Sequence, residues 1–145
     1  MKTVIIMCGI SGSGKSTRAE KFYPKAMVVS ADHFFMVAGE YRFNPMLLPD
    51  AHGTCLKSFV SALQGAVDMV VVDNTNTTVA EVAPCAALAL AYGYDLRIEV
   101  LKVDVETAAA RNLHGVPKAG IVKMAERLET LKDSLPPWWP CEEVS

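Results

Sequence analysis

Gly9-Ile10-Ser11-Gly12-Ser13-Gly14-Lys15-Ser16 fits the pattern G-x-x-x-x-G-K-[ST]. Glycines at these places let the backbone turn tightly, so that successive N–H groups converge on phosphate oxygens. A lysine at the end of such a turn sets a cation against the β- and γ-phosphates of a nucleoside triphosphate, and the next hydroxyl is a hard oxygen suited to Mg²⁺. The chemistry expected is binding of ATP with Mg²⁺ by Gly9, Ser11, Gly12, Ser13, Gly14, Lys15, Ser16 and Thr17, with Lys15 also catalytic. With average residue usage, a chain of this length matches the pattern by accident roughly once in a few hundred cases. The loop also follows an apolar run and opens a helical pattern, which is the setting the chemistry requires.

Three further residues stand where a phosphate would have to be worked on. Asp32, in Ser30-Ala31-Asp32-His33, is a candidate proton acceptor for an attacking hydroxyl, against the plainer reading of a cap on a helical turn. Asp73 ends the run Met69-Val70-Val71-Val72 and is a second candidate Mg²⁺ ligand beside Ser16; the turn-forming Asp73-Asn74-Thr75-Asn76 offers a purely local alternative. Arg111 precedes Asn112-Leu113-His114-Gly115-Val116-Pro117, whose glycine and proline suit a lid over residues 111–117. Arginine delivered there would neutralise charge on a transferred phosphoryl group, or else serve its own helix C-terminus. Arg127 is a weaker candidate of the same kind. His33, His52 and His114 are too scattered in sequence to argue a metal site. Phe34, Phe35, Tyr41 and Phe43 form a dense aromatic stretch, read either as core or as a stacking surface for a base.

These residues need elements to hold them. Short β-branched or apolar runs at 4–8, 26–30, 69–73 and 96–103 read as strands. Helical spacing marks 15–22, 49–64, 79–92, 105–113 and a last helix from Pro117 to about Ser134. Alternation of this kind implies an α/β fold, a parallel sheet covered by helices on both faces. In such sheets ligands gather beyond the carboxyl ends of the strands, where the phosphate loop, Asp32 and Asp73 all fall. Polar residues alternating through 96–103 point to an edge strand. Residues 33–48 fit no regular element. Leu135-Pro136-Pro137-Trp138-Trp139-Pro140 opens a proline- and tryptophan-rich tail, 135–145, after a phosphate-loop domain of 1–134; its tryptophans are expected to pack on the apolar surface.

At 145 residues and 15.7 kDa the chain amounts to one domain with enough core to dispense with staples. A net charge of −2 excludes a general basic coat for nucleic acid but leaves room for a local groove. The four cysteines, Cys8, Cys55, Cys85 and Cys141, have no zinc-like spacing, which points to a reducing, cytoplasmic setting. No stretch has the length and apolarity of a membrane span.

GISGSGKST, SADHFF, VVVDNTNT and AARNLHGVP, taken together, resemble the polynucleotide-kinase-like P-loop kinases over about residues 4–131. The resemblance implies a P-loop NTPase three-layer α/β/α fold with strand order 2-3-1-4. It implies ATP and Mg²⁺ at Lys15 and Ser16, Asp32 as general base for a 5′-hydroxyl, Asp73 in the DNTN segment and Arg111 at the lid. Two departures concern the acceptor: an arginine three residues past the aspartate in the phage enzyme of this family is Phe35 here, and a second lid arginine is absent from Asn112-Leu113-His114-Gly115. The expectation is a kinase for a nucleic-acid hydroxyl. Its alternatives are a kinase for a nucleoside, sugar or drug, and a regulatory ATP-binding module.

Overall fold

The strand β1 (Thr3–Cys8) is buried from Val4 to Cys8 because apolar atoms leave both of its faces, as the central strand of a covered parallel sheet requires. In the computed structural model, which describes residues 1–112 and 114–145, it leads through the glycine-rich turn into α1 (Lys15–Phe22) and then β2 (Met27–Val29). A 3₁₀ turn over Ala31–Phe35 follows, then a small hairpin of β3 (Met36–Val37) and β4 (Glu40–Tyr41). Beyond a second 3₁₀ turn at Pro45–Leu47 come α2 (Leu48–Gln64), β5 (Met69–Asp73), α3 (Val79–Ala91) and β6 (Asp95–Leu101). The chain ends with α4 (Val105–Ala110), α5 (Lys118–Ser134) and β7 (Cys141–Val144).

The main sheet runs β2-β5-β1-β6-β7, and every neighbouring pair is parallel. The strands foreseen from sequence stand in the foreseen order 2-3-1-4, and the fold is the α/β/α P-loop architecture. Val4, Ile6, Cys8, Val70 and Val72 point to one face, where they pack with Phe59 of α2, Val82 and Ala86 of α3, and Ile121 and Leu131 of α5. Ile5, Met7 and Val71 point to the other and meet Ala19 of α1 and Tyr23 just beyond it.

Some expectations change. β6 is interior, because residues 141–144 of the proline-tryptophan segment pair with Ile98–Leu101. The polar residue that suggested an edge, Glu99, is 1% exposed. It accepts hydrogen bonds from Arg18 Nε at 2.9 Å and Tyr23 Oη at 2.6 Å, so the alternation reports a buried ionic network under α1 rather than solvent. Trp139 packs on the core as expected, but Trp138 is 76% exposed. Asp104 caps α4 by accepting from Thr107 N at 2.8 Å. That helix stops at Ala110; the end foreseen at Leu113 lies outside the described residues. Pro117 is the N-cap of α5, not its first residue. Among the described residues no helix is long and apolar enough to cross a membrane.

Candidate active site

The turn between β1 and α1 is shaped by two glycines with left-handed backbones. Gly14, at φ 94°, stands at the N-cap of α1 with open space where a Cβ would lie, so the helix N-terminus is bare toward solvent. Gly12, at φ 84°, faces the other way: a Cβ there would sit 2.1 Å from the carbonyl oxygen of Ala108, so the loop touches α4 backbone to backbone. Ser11 adds a second tie, donating to Met124 Sδ of α5 at 3.6 Å. Gly9 lies behind the loop rather than on its open side; its N–H donates to Thr75 O at 2.9 Å, and a Cβ would meet Ser13 Oγ at 2.5 Å. Ser13 is buried with its hydroxyl turned inward, so only its backbone can serve a ligand.

A cavity of about 790 Å³ opens over this loop. Lys15 lines it, with Nζ donating to Gly9 O at 3.1 Å and Ile10 O at 3.2 Å. Burial pulls this ammonium below its ordinary range, while the charges of Asp73 and then Asp32 pull it back up. Ser16 Oγ donates to Asp73 Oδ2 at 2.7 Å, which joins the end of β5 to the start of α1. A hydroxyl and a carboxylate at the mouth of a phosphate-binding turn are hard oxygen donors, few in number, and this donor set fits Mg²⁺ shared with phosphates and water. Thr17 is exposed on the same wall.

Asp32 and Arg111 line the same cavity, so the candidate residues for phosphate, metal, acceptor and lid come together. Arg111 is the C-cap of α4 and exposed. Arg127 is exposed on α5 and lies outside the cavity wall, as does His52 on α2. Phe35 is 3% exposed and belongs to the core, so the position that the resemblance marks for an arginine offers the cavity no side chain.

Two groups escape a reading of the sequence. The asparagines of the DNTN segment are structural ties: Asn74 Oδ1 accepts from Ala31 N at 2.8 Å, fixing the turn that carries Asp32, and Asn76 Nδ2 donates to Met7 O at 2.8 Å. Asn76 adopts φ 47°, a conformation asparagine tolerates better than most residues. Tyr41 and His114 meet at Asp32. Tyr41 Oη donates to Oδ1 at 3.1 Å, and His114 Nε2 lies 3.6 Å from Oδ2. No local pattern joins positions 32, 41 and 114; the sequence offered only the aromatic density around Tyr41 and the place of His114 in the expected lid.

A family model described as AAA domain matches residues 4–132. Human NEDD4-binding protein 2 is 29% identical over 133 residues, 87% of this chain, while the chain spans 8% of that protein's length. Among solved structures, the Pnkp1/Rnl/Hen1 RNA repair complex contains a chain that superposes with a TM-score of 0.75 at 21% identity, covering 93% of this chain and 46% of the other. A chain of the PezAT toxin–antitoxin system of Streptococcus pneumoniae superposes with a TM-score of 0.60 at 20% identity, covering 75% of this chain and 50% of that one.

Proposed function

We propose that this chain, which belongs to the AAA domain family and has the fold of the polynucleotide-kinase-like P-loop kinases, is an ATP-dependent kinase that moves the γ-phosphate of ATP to a hydroxyl of a nucleic acid, most simply a 5′-OH end. The observation that carries the reading is that Lys15, the Ser16–Asp73 pair and Asp32 all line one cavity. The acceptor class is supported by the fold shared with a chain of an RNA repair complex.

The residues divide the work. Backbone N–H groups of residues 11–16 and the N-terminus of α1 would receive the β- and γ-phosphates. Lys15, now donating to two loop carbonyls, would exchange them for phosphate oxygens. Ser16 and Asp73 would hold Mg²⁺, whose chemistry there would be to offset the negative charge of the phosphates. Asp32 would accept the proton of the acceptor hydroxyl as its oxygen attacks the γ-phosphorus in line. Arg111, carried to the cavity by a helix that abuts the loop at Gly12, would stabilise the negative charge of the transferred group. The free thiols suit a cytoplasmic location.

One observation favours a smaller acceptor, a nucleoside or sugar: burial of Phe35 leaves that acceptor-side position with no polar contact to offer. The test offers γ-labelled ATP and Mg²⁺ to the protein with 5′-OH DNA and RNA oligonucleotides beside a nucleoside mixture. Label on an oligonucleotide, absent when its 5′ end is blocked or when Asp32→Asn replaces the wild type, is the expected result. Label confined to small molecules moves the acceptor to the second reading, and free phosphate alone overturns both.

A further inference from the structure

The hairpin formed by β3 and β4 has no task in phosphate binding, yet it delivers a side chain to the acceptor wall. Asp32 is 51% exposed and sits in a short 3₁₀ turn, so its own element leaves the carboxylate free to rotate. Tyr41 removes that freedom, because its hydroxyl donates to Oδ1 at 3.1 Å. The tyrosine is itself fixed: its ring meets buried Phe35 edge-on at 6.1 Å and stacks on Phe43 at 6.3 Å. Burial, and after it the neighbouring Asp32 charge, push the phenol well above its ordinary range, so it stays an O–H donor. His114 arrives from the link between α4 and α5, with its ring centroid 4.1 Å from that of Tyr41. Its Nε2, 3.6 Å from Oδ2, is beyond hydrogen-bond distance, and among the described residues Oδ2 accepts no hydrogen bond.

We propose that Tyr41 is a positioning residue that pins Oδ1 of Asp32 so that Oδ2 is the oxygen presented to the acceptor hydroxyl, with His114 closing the flank of that oxygen. The inference rests on the reading of Asp32 given above. In the step it serves, the acceptor O–H proton passes to Oδ2 while the acceptor oxygen bonds to the γ-phosphorus. The bond from that phosphorus to the β–γ bridging oxygen breaks, its electron pair leaves on ADP, and the proton goes on to water from the exposed carboxyl group. Geometry is what such a base supplies, and a displacement of the order of 1 Å can lower a rate by about 10²-fold.

Tyr41→Phe keeps the ring and its packing and removes the hydroxyl alone. With the full chain, ATP, Mg²⁺ and a 5′-OH oligonucleotide, kcat is expected to fall about tenfold, with the ATP KM and the melting temperature at wild-type values. In an Asp32→Asn background the same change is expected to do nothing more, because the hydroxyl acts through the carboxylate. Tyr41→Leu, which also removes the ring, is expected to lower both kcat and the melting temperature and so reports the packing role separately. A wild-type rate for Tyr41→Phe, an equal loss in both backgrounds, or a kcat loss matched by a rise in ATP KM overturns the inference. If Asp32→Asn loses transfer while Tyr41→Phe does not, this inference falls and the kinase reading stands. If the wild type transfers to no oligonucleotide, or Asp32→Asn transfers normally, the reading of Asp32 falls first and takes the inference with it.

Discussion

The regions of the cavity proposed for phosphate and for acceptor are built on different plans. At the phosphate end the working groups are backbone N–H donors from one turn, with Lys15 and Ser16 following in sequence and Asp73 reached by a single 2.7 Å hydrogen bond. At the acceptor end Asp32, Tyr41 and His114 come from a 3₁₀ turn, a hairpin and an interhelical link, and meet through side chains alone. A backbone cradle tolerates almost any neighbours so long as the turn is made. A side-chain cluster drawn from separate segments can change its ligand by changing one residue; Phe35, buried in the core, contributes nothing to this one. On the proposed reading, one end suits a constant nucleotide and the other a variable acceptor.

The difference has measurable consequences. Lys15→Ala should remove transfer by at least about 10³-fold and weaken ATP binding, since the cation serves ground state and transition state together; near-normal turnover would deny the phosphate end its role. Glu99→Ala acts beneath that end, on the anchor of Arg18 and so on α1. Removing the buried acceptor of Arg18 and Tyr23 is expected to cost about 1–3 kcal/mol, to be read by denaturant unfolding. The same network predicts acid sensitivity. Burial alone would raise the Glu99 carboxyl, but hydrogen bonds from Arg18 and Tyr23 and the charges of Arg18 and Arg97 outweigh it and hold the group below its ordinary 4.5. Its contribution to stability is thus complete above the unfolded value and drains as pH falls through the lower, folded one; in Glu99→Gln that part of the acid-unfolding curve should flatten.

Asp32→Asn should cost at least about 10²-fold in transfer while leaving ATP affinity intact, a split that separates the two ends directly. ATP affinity falling in parallel would merge them. Arg111→Ala should lower kcat by about tenfold, more than it raises the ATP KM, as steady-state kinetics with varied ATP would show. The reverse pattern would make it a ground-state binder and assign it wholly to the nucleotide side.

The phosphate end was readable because its information is local. The glycine spacing, the apolar run before it and the helical run after it lie within a short stretch, and the β-branched run ending at Asp73 states its own place in a parallel sheet. The cap at Asp104 was readable for the same reason. Strand order was not local information of this kind; it came with the family resemblance and stands as that resemblance implied. What escaped depends on contacts between distant segments. Polarity at Glu99 has the same appearance in sequence whether the residue faces water or Arg18 and Tyr23. β7 follows three prolines, and its strand character comes from the open side of β6 rather than from its own residues. The hairpin at 36–41 turns on Ala38 and Gly39 with positive φ, and a non-glycine residue in that region gives no compositional warning.

The pairing of β1 also bears on how the molecule comes to exist. The strand that carries the glycine-rich loop pairs with residues 69–73 on one side and 95–100 on the other. Neither of its neighbours is close in sequence, so β1 gains its first partner only across more than 60 residues and its second only across about 90. Parallel pairing across such intervals makes for slow folding, because long loops close before any contact repays them. The glycine-rich turn therefore takes its final setting only when residues 95–100 and Ala108 of α4 are in place. In refolding experiments, ATP protection of the turn should arrive with the slowest phase, well after α2 and α3 have become helical.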